Sequence, residues 1–196
     1  MRKLLNIGIE QLKKMIEEMA TGSLEALESA RASIEGDFNS TEEIASRLHI
    51  IRAEVLDLAT ELLVRYSPVA TDLRFIQSAI DVSYDLYRIS RYAMEIERTA
   101  RLVQGPMELS KKAFPIAEKA VRISVVAFRD LDETLVGKLL ELDKQVDSLY
   151  ILSLKALNES PERAGDALVM RHLERISDHA KEIGARVIYI REGRRL

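Results

Sequence analysis

A chain of 196 residues has room for one large domain or two small ones sharing a core. Its composition, 47% hydrophobic and 31% charged, suits a folded globular protein, and a net charge of −3 supplies no general attraction for nucleic acid or an anionic membrane. With no cysteine, disulfides and thiolate metal sites are excluded, and 8 Gly and 4 Pro are too few to punctuate many short strands.

The pattern predicts six helices. The first runs from Arg2 to Ile34 and stops at Gly36; its opening "MRKLLNIGIEQLKKMIEEM" breaks its apolar residues at helical spacing, unlike a signal-peptide core. "STEE" places Ser40 three residues before Glu43, a capping box that opens a second helix ending at Tyr66, before Pro68. A third helix spans Ala70 to Val103, and "QGP" at 104–106 is the strongest break in the chain. A fourth runs from Met107 to Arg129, where "RDLDE" bends the chain into a fifth from Asp132 to Asn158. "NESPE" ends that one, a sixth covers Glu162 to Ile190, and "REGRRL" reads as a solvated basic end. No apolar run approaches the roughly 20 residues that cross a bilayer. Absence of cysteine is compatible with the cytoplasm.

Apolar residues recur at alternating spacings of three and four. The sixth helix carries Val169, Leu173, Ile176, Ala180, Ile183, Val187 and Ile190; the third carries Leu86, Ile89, Ala93, Ile96, Ala100 and Val103. Such stripes are the seams of an antiparallel bundle. The two helices also match at an offset of 87, with seven identities in the sixteen positions from Asp85 and from His172. Arg88, Ser90 and Glu95 are among the identities and fall off the seam, so packing alone does not account for them. We therefore expect an all-α fold of two tandem antiparallel three-helix bundles, 1–104 and 106–196, made by duplication.

Four acids stand out. Asp143 and Asp147, then Glu174 and Asp178, are each four apart, which puts each pair on one helix face. A helical wheel directs both pairs away from their seams, towards solvent. Two acid pairs on successive helices make an oxygen-rich cluster suited to a cation, with His172 and His179 as further nitrogen donors. The competing reading is a solvated face in which Lys144, Arg175 and Lys181 pair with the acids. Buried Glu-x-x-His di-iron ligation, phosphate loops and dinucleotide fingerprints are missing. Ser177, Asp178 and His179 are helix neighbours that cannot converge as a triad.

"PVATDLRF" at 68–75, followed by "DLYRIS", and then "ELDKQVDSLY" with "HLERISDHA", resemble the phosphate-uptake regulator (PhoU) family across nearly the whole chain. The resemblance implies two three-helix repeats and a surface multinuclear iron or zinc cluster. Its ligands here would be Asp143, Asp147, Glu174 and Asp178. In the first half the matching positions hold Ala45, His49, Tyr87 and Arg91, so the cluster is expected only in the second. The resemblance further implies a cytoplasmic, homo-oligomeric, non-enzymatic negative regulator of phosphate uptake and phosphate-starvation signalling. Its partners would be the ATPase subunit of an ABC-type phosphate transporter and a sensor histidine kinase. A metal-free helical scaffold, or a regulator of another ion transporter, is the alternative.

Overall fold

In the computed structural model, which describes residues 2–194, the chain forms α1 (Arg2–Ser33), α2 (Thr41–Tyr66), α3 (Ala70–Leu102), α4 (Glu108–Asp130), α5 (Val136–Glu159) and α6 (Ala164–Glu192). No strand occurs among the described residues, and the last two residues of the basic end lie outside them. The breaks sit where the sequence places them. Gly36 takes φ +95°, Ser67 and Leu131 adopt left-handed caps, and the Asp132 side chain accepts from Thr134 N–H at the bend into α5. Gly105, at φ +149°, rests against the Glu162 carbonyl so closely that a β-carbon would collide with it.

Each half is an antiparallel three-helix unit. In the first, α1 packs on α2 and α3 and α2 packs on α3; in the second, α4 packs on α5 and α6 and α5 on α6. The halves join mainly through α3 against α6, with α1 against α4 beside it. All seven seam residues of α6 are fully buried, as are Ile89, Ala93 and Ile96 of α3, and one continuous apolar cluster runs through both halves. At about 1.5–3 kcal/mol per buried large side chain, this cluster is the main stabilising term.

Two expectations change. Ser40 makes no side-chain cap; the Glu97 carboxylate from α3 instead accepts from Thr41 N–H at 3.1 Å and from the Arg101 guanidinium at 2.7 Å. Burial pushes the Glu97 carboxyl up, but the Thr41 and Arg101 bonds outweigh this and hold it below the usual range. Ser90 is fully buried rather than off the seam, and so is its counterpart Ser177. Ser90 donates to the Tyr87 carbonyl of its own helix and Ser177 to Asp143 on α5, so both repeated serines are buried with a hydrogen-bond acceptor.

The second half has its own cap of this kind. Asp166, at 1% exposure on α6, accepts from the backbone N–H of Leu109 at 3.0 Å and of Ser110 at 2.8 Å, and from the Ser110 hydroxyl. It thereby satisfies free donors at the start of α4, where the helix dipole also favours a negative charge. Asp166→Ala is expected to lower unfolding stability by about 2–3 kcal/mol in a urea melt while leaving the helical circular dichroism intact.

Candidate functional site

The structure gathers all four candidate carboxylates between α5 and α6. Asp143 and Asp147 lie one turn apart on α5, and Glu174 and Asp178 one turn apart on α6. The expectation that they point to solvent is corrected for two of them: Asp143 is 5% exposed and Glu174 8%. The reason is that α6 packs against α3, α4 and α5 together, so it has buried edges outside its main stripe.

Buried carboxylates need partners, and these have them. The Lys181 ammonium bridges the helices, 2.6 Å from Asp143 and 2.9 Å from Asp178, and the Ser177 hydroxyl donates to the other Asp143 oxygen at 3.1 Å. Arg175 grips Glu174 with two N–H groups at 2.7 and 2.8 Å and reaches Asp178 at 3.1 Å. Arg171 adds a bond to Glu174 at 2.8 Å, its guanidinium lying 5.6 Å from the centre of the Tyr150 ring. Burial alone would lower the Lys181 ammonium, but its bonds to Asp143 and Asp178 outweigh that and raise it well above an ordinary lysine.

Asp147 is the exception. Among the described residues it has no ion pair, and its carboxyl is raised by burial first, then by the charges of Asp143, Glu174 and Asp178. That coupling places the four in one electrostatic cluster, with three cations against four acids. Its donors are hard oxygens that suit a metal ion. As the side chains stand, however, they face cations, and no three His, Cys, Asp or Glu among the described residues are arranged to hold a metal. Lys144, one of the expected partners, is exposed and takes no part; Arg175 and Lys181 do, with Arg171 in addition.

The first half presents a different surface. Ala45 is packed at 2% exposure, and His49 contacts Tyr87 with ring centroids 5.3 Å apart. Arg52 lies 5.2 Å from the Tyr84 ring and 5.8 Å from Tyr87, and Arg91 lies 4.0 Å from Glu95.

Neither His172 nor His179 joins the acids. His179 Nδ1 is 2.8 Å from Asp85 Oδ1 across the α3–α6 contact, and His172 is tilted against Tyr92 at 5.8 Å. Burial lowers the His172 imidazole, so it favours the neutral form. Burial also raises the Asp85 carboxyl, against the opposing pull of His179. Ser177 bonds Asp143 while His179 bonds Asp85, so these neighbours diverge and form no proton relay. The Asp85–His179 pair spans 94 residues and escapes sequence reading, although its members lie inside the two repeated segments.

Because the Asp147 carboxyl is raised in the folded chain, it holds its proton better folded than unfolded. Its contribution is therefore favourable at low pH and is lost as pH rises through the folded value. Asp147→Asn is expected to raise stability at pH 7 by up to about 1 kcal/mol. The gain should vanish below the ordinary carboxylate range; melts at pH 7 and pH ~3 check it.

The chain matches the PhoU-domain family model over residues 9–100 and again over 111–187. It is 29% identical over 188 residues to a "Phosphate-specific transport system accessory protein PhoU homolog" of Archaeoglobus fulgidus, covering 92% of this chain and 91% of that one. A Synechocystis protein of the same description is 30% identical, covering 95% and 92%. The fold superposes on the crystal structure of PhoU from Pseudomonas aeruginosa with TM-score 0.88 at 24% identity, covering 96% of this chain and 99% of that one. A phosphate transport system regulatory protein PhoU from Streptococcus pneumoniae gives 0.75 at 17% identity, covering 98% and 99%.

Proposed function

The chain belongs to the PhoU family, and we propose that it is the accessory, regulatory component of a phosphate transport system, acting by protein contact. The observation that carries this reading is the match of both repeats to the family domain, together with full-length relatives described as accessory to phosphate-specific transport. In this reading the protein works in the cytoplasm as a homo-oligomer. It restrains uptake by binding the transporter's ATPase subunit and relays phosphate status to a sensor histidine kinase. No described helix is long and apolar enough to cross a membrane, so contact with a transporter would fall on its parts outside the bilayer. Deleting the gene is expected to raise phosphate uptake several-fold in phosphate-replete cells, measured with labelled phosphate. Unchanged uptake would favour action on a different transporter.

We further propose that Asp143, Asp147, Glu174 and Asp178 are metal ligands, with iron or zinc cross-linking α5 and α6 rather than taking part in a reaction. The support is their convergence and the unpaired, charge-repelled Asp147. The second reading, a metal-free scaffold, draws on the cations that already occupy three of the four. The double variant Asp147→Asn, Asp178→Asn is expected to retain no metal under conditions in which the unchanged chain takes up Fe(II) or Zn(II), while remaining helical. Elemental analysis after desalting measures it.

A further inference from the structure

We propose that the α2–α3 face around Arg52 and Arg88 is a docking surface for an acidic segment of a partner protein, whose carboxylates these two arginines hold. The inference rests on the protein-contact reading above and names the chemistry of that contact. Arg52 lies over the rings of Tyr84 and Tyr87; Arg88 lies 4.7 Å from the centre of the Tyr92 ring and donates to its hydroxyl at 2.6 Å. Among the described residues neither arginine has an ion pair, and the bond to Tyr92 is the only hydrogen bond that either donates. A guanidinium carries several N–H donors in a fixed fork, and one held over an aromatic ring still presents that fork.

The duplication shows what such a pair of arginines does on the matching face. Ala45 corresponds to Asp143 and His49 to Asp147, an offset of 98, which matches Arg52 with Tyr150. At the offset of 87, Tyr84 corresponds to Arg171, Tyr87 to Glu174 and Arg88 to Arg175. The arginine–tyrosine contact is therefore kept in both repeats with its members exchanged, Arg52 over Tyr84 in one and Arg171 over Tyr150 in the other. In the second repeat the two arginines close on Glu174 with three bonds of 2.7 and 2.8 Å. In the first, both arginines remain and Tyr87 stands in place of that glutamate. The acids nearby on α3 are engaged elsewhere: Asp81 with Arg186, Asp85 with His179, and Glu95 with Arg91 and Arg98. A carboxylate for Arg52 and Arg88 therefore comes from another molecule.

The surroundings favour a protein segment over other anions. A chain of net charge −3 repels a nucleic-acid polyanion, and the face lies in the middle of two helices, where backbone N–H groups are used internally and cannot cradle a phosphate. Beside the arginines stand Tyr84 at 44% exposure and Leu56 at 45%, the latter one turn along α2 from Arg52. Arginine with tyrosine is the pairing enriched at the centres of protein interfaces. The occupant is thus a segment with acidic residues beside apolar ones, its carboxylates set on Arg52 and Arg88.

The probe is a short synthetic peptide of alternating glutamate and leucine, titrated into the unchanged chain labelled with 15N-arginine and followed by NMR of the arginine side chains. The signals of Arg52 and Arg88 are expected to shift saturably, while those of Arg47 and Arg65, paired with Glu25 and Glu61, stay in place. The same peptide with glutamine for glutamate should move none of them. Unmoved Arg52 and Arg88 signals would overturn the proposal, and equal shifts with inorganic phosphate at the same concentration would overturn it in favour of a simple anion site. The second measurement is calorimetric titration with the phosphate transporter's ATPase subunit. The double variant Arg52→Gln, Arg88→Gln is expected to bind at least about tenfold more weakly than the unchanged chain, and Arg47→Gln, Arg65→Gln, which removes the same charge, to bind like the unchanged chain. Equal binding by both variants would overturn this face as the docking surface while leaving the transporter reading intact. No binding by the unchanged chain would overturn the transporter reading, and the proposal then stands or falls on the peptide titration, which needs no variant.

Discussion

The antiparallel contact of α3 with α6 is the constraint on which the rest depends. It joins the halves, and its polar contacts follow the duplication. Asp85 corresponds to His172 and Tyr92 to His179 at the offset of 87. The pseudo-twofold therefore turns the Asp85–His179 contact into Tyr92–His172, and both are present. Tyr92 and His179 exchange with each other under the same operation, and their rings lie 5.7 Å apart, so the axis passes beside them. The apolar stripes supply the adhesion, while the Asp85–His179 pair, with its carboxylate buried, adds a register: sliding α6 by one turn would strand that carboxylate in a site that already resists its charge.

With α3 and α6 back to back, their outer flanks take α2 and α5. This layout puts one set of corresponding positions at the α2–α3 contact and the other at the α6–α5 contact. The duplicated sites have taken opposite chemistries. One is the pair Tyr84 and Tyr87 with Arg52 over their rings; the other is four carboxylates under Lys181, Arg171 and Arg175. A regulator that acts by contact gains from such asymmetry, because a pseudo-symmetric body then presents two distinguishable halves to its partners.

Much of this was legible in the sequence. The seven-residue stripe from Val169 to Ile190 is buried along its whole length, and Gly36, Pro68 and the 104–106 break mark real ends. The convergence of Asp143, Asp147, Glu174 and Asp178 was legible from their spacing and the resemblance; the burial of Asp143 and Glu174 was not. A wheel drawn about one seam treats a helix as having one neighbour, whereas α6 has three, and Glu174 lies on a second covered edge. Ser40 misled for a related reason: the local capping box competes with Glu97, which arrives from 56 residues away and already satisfies Thr41 N–H. Long-range polar contacts such as Glu97–Thr41, Asp166–Ser110 and Asp85–His179 leave no periodic trace.

The central proposal is that the chain serves a phosphate transporter through direct contact. Its most direct measurement is a binding titration of the purified chain with the ATPase subunit of the phosphate transporter from the same cell, by calorimetry at physiological salt. The account predicts saturable binding, and no binding to the ATPase subunit of an unrelated importer. Absence of binding to the phosphate-transporter subunit, or equal binding to both, would contradict it.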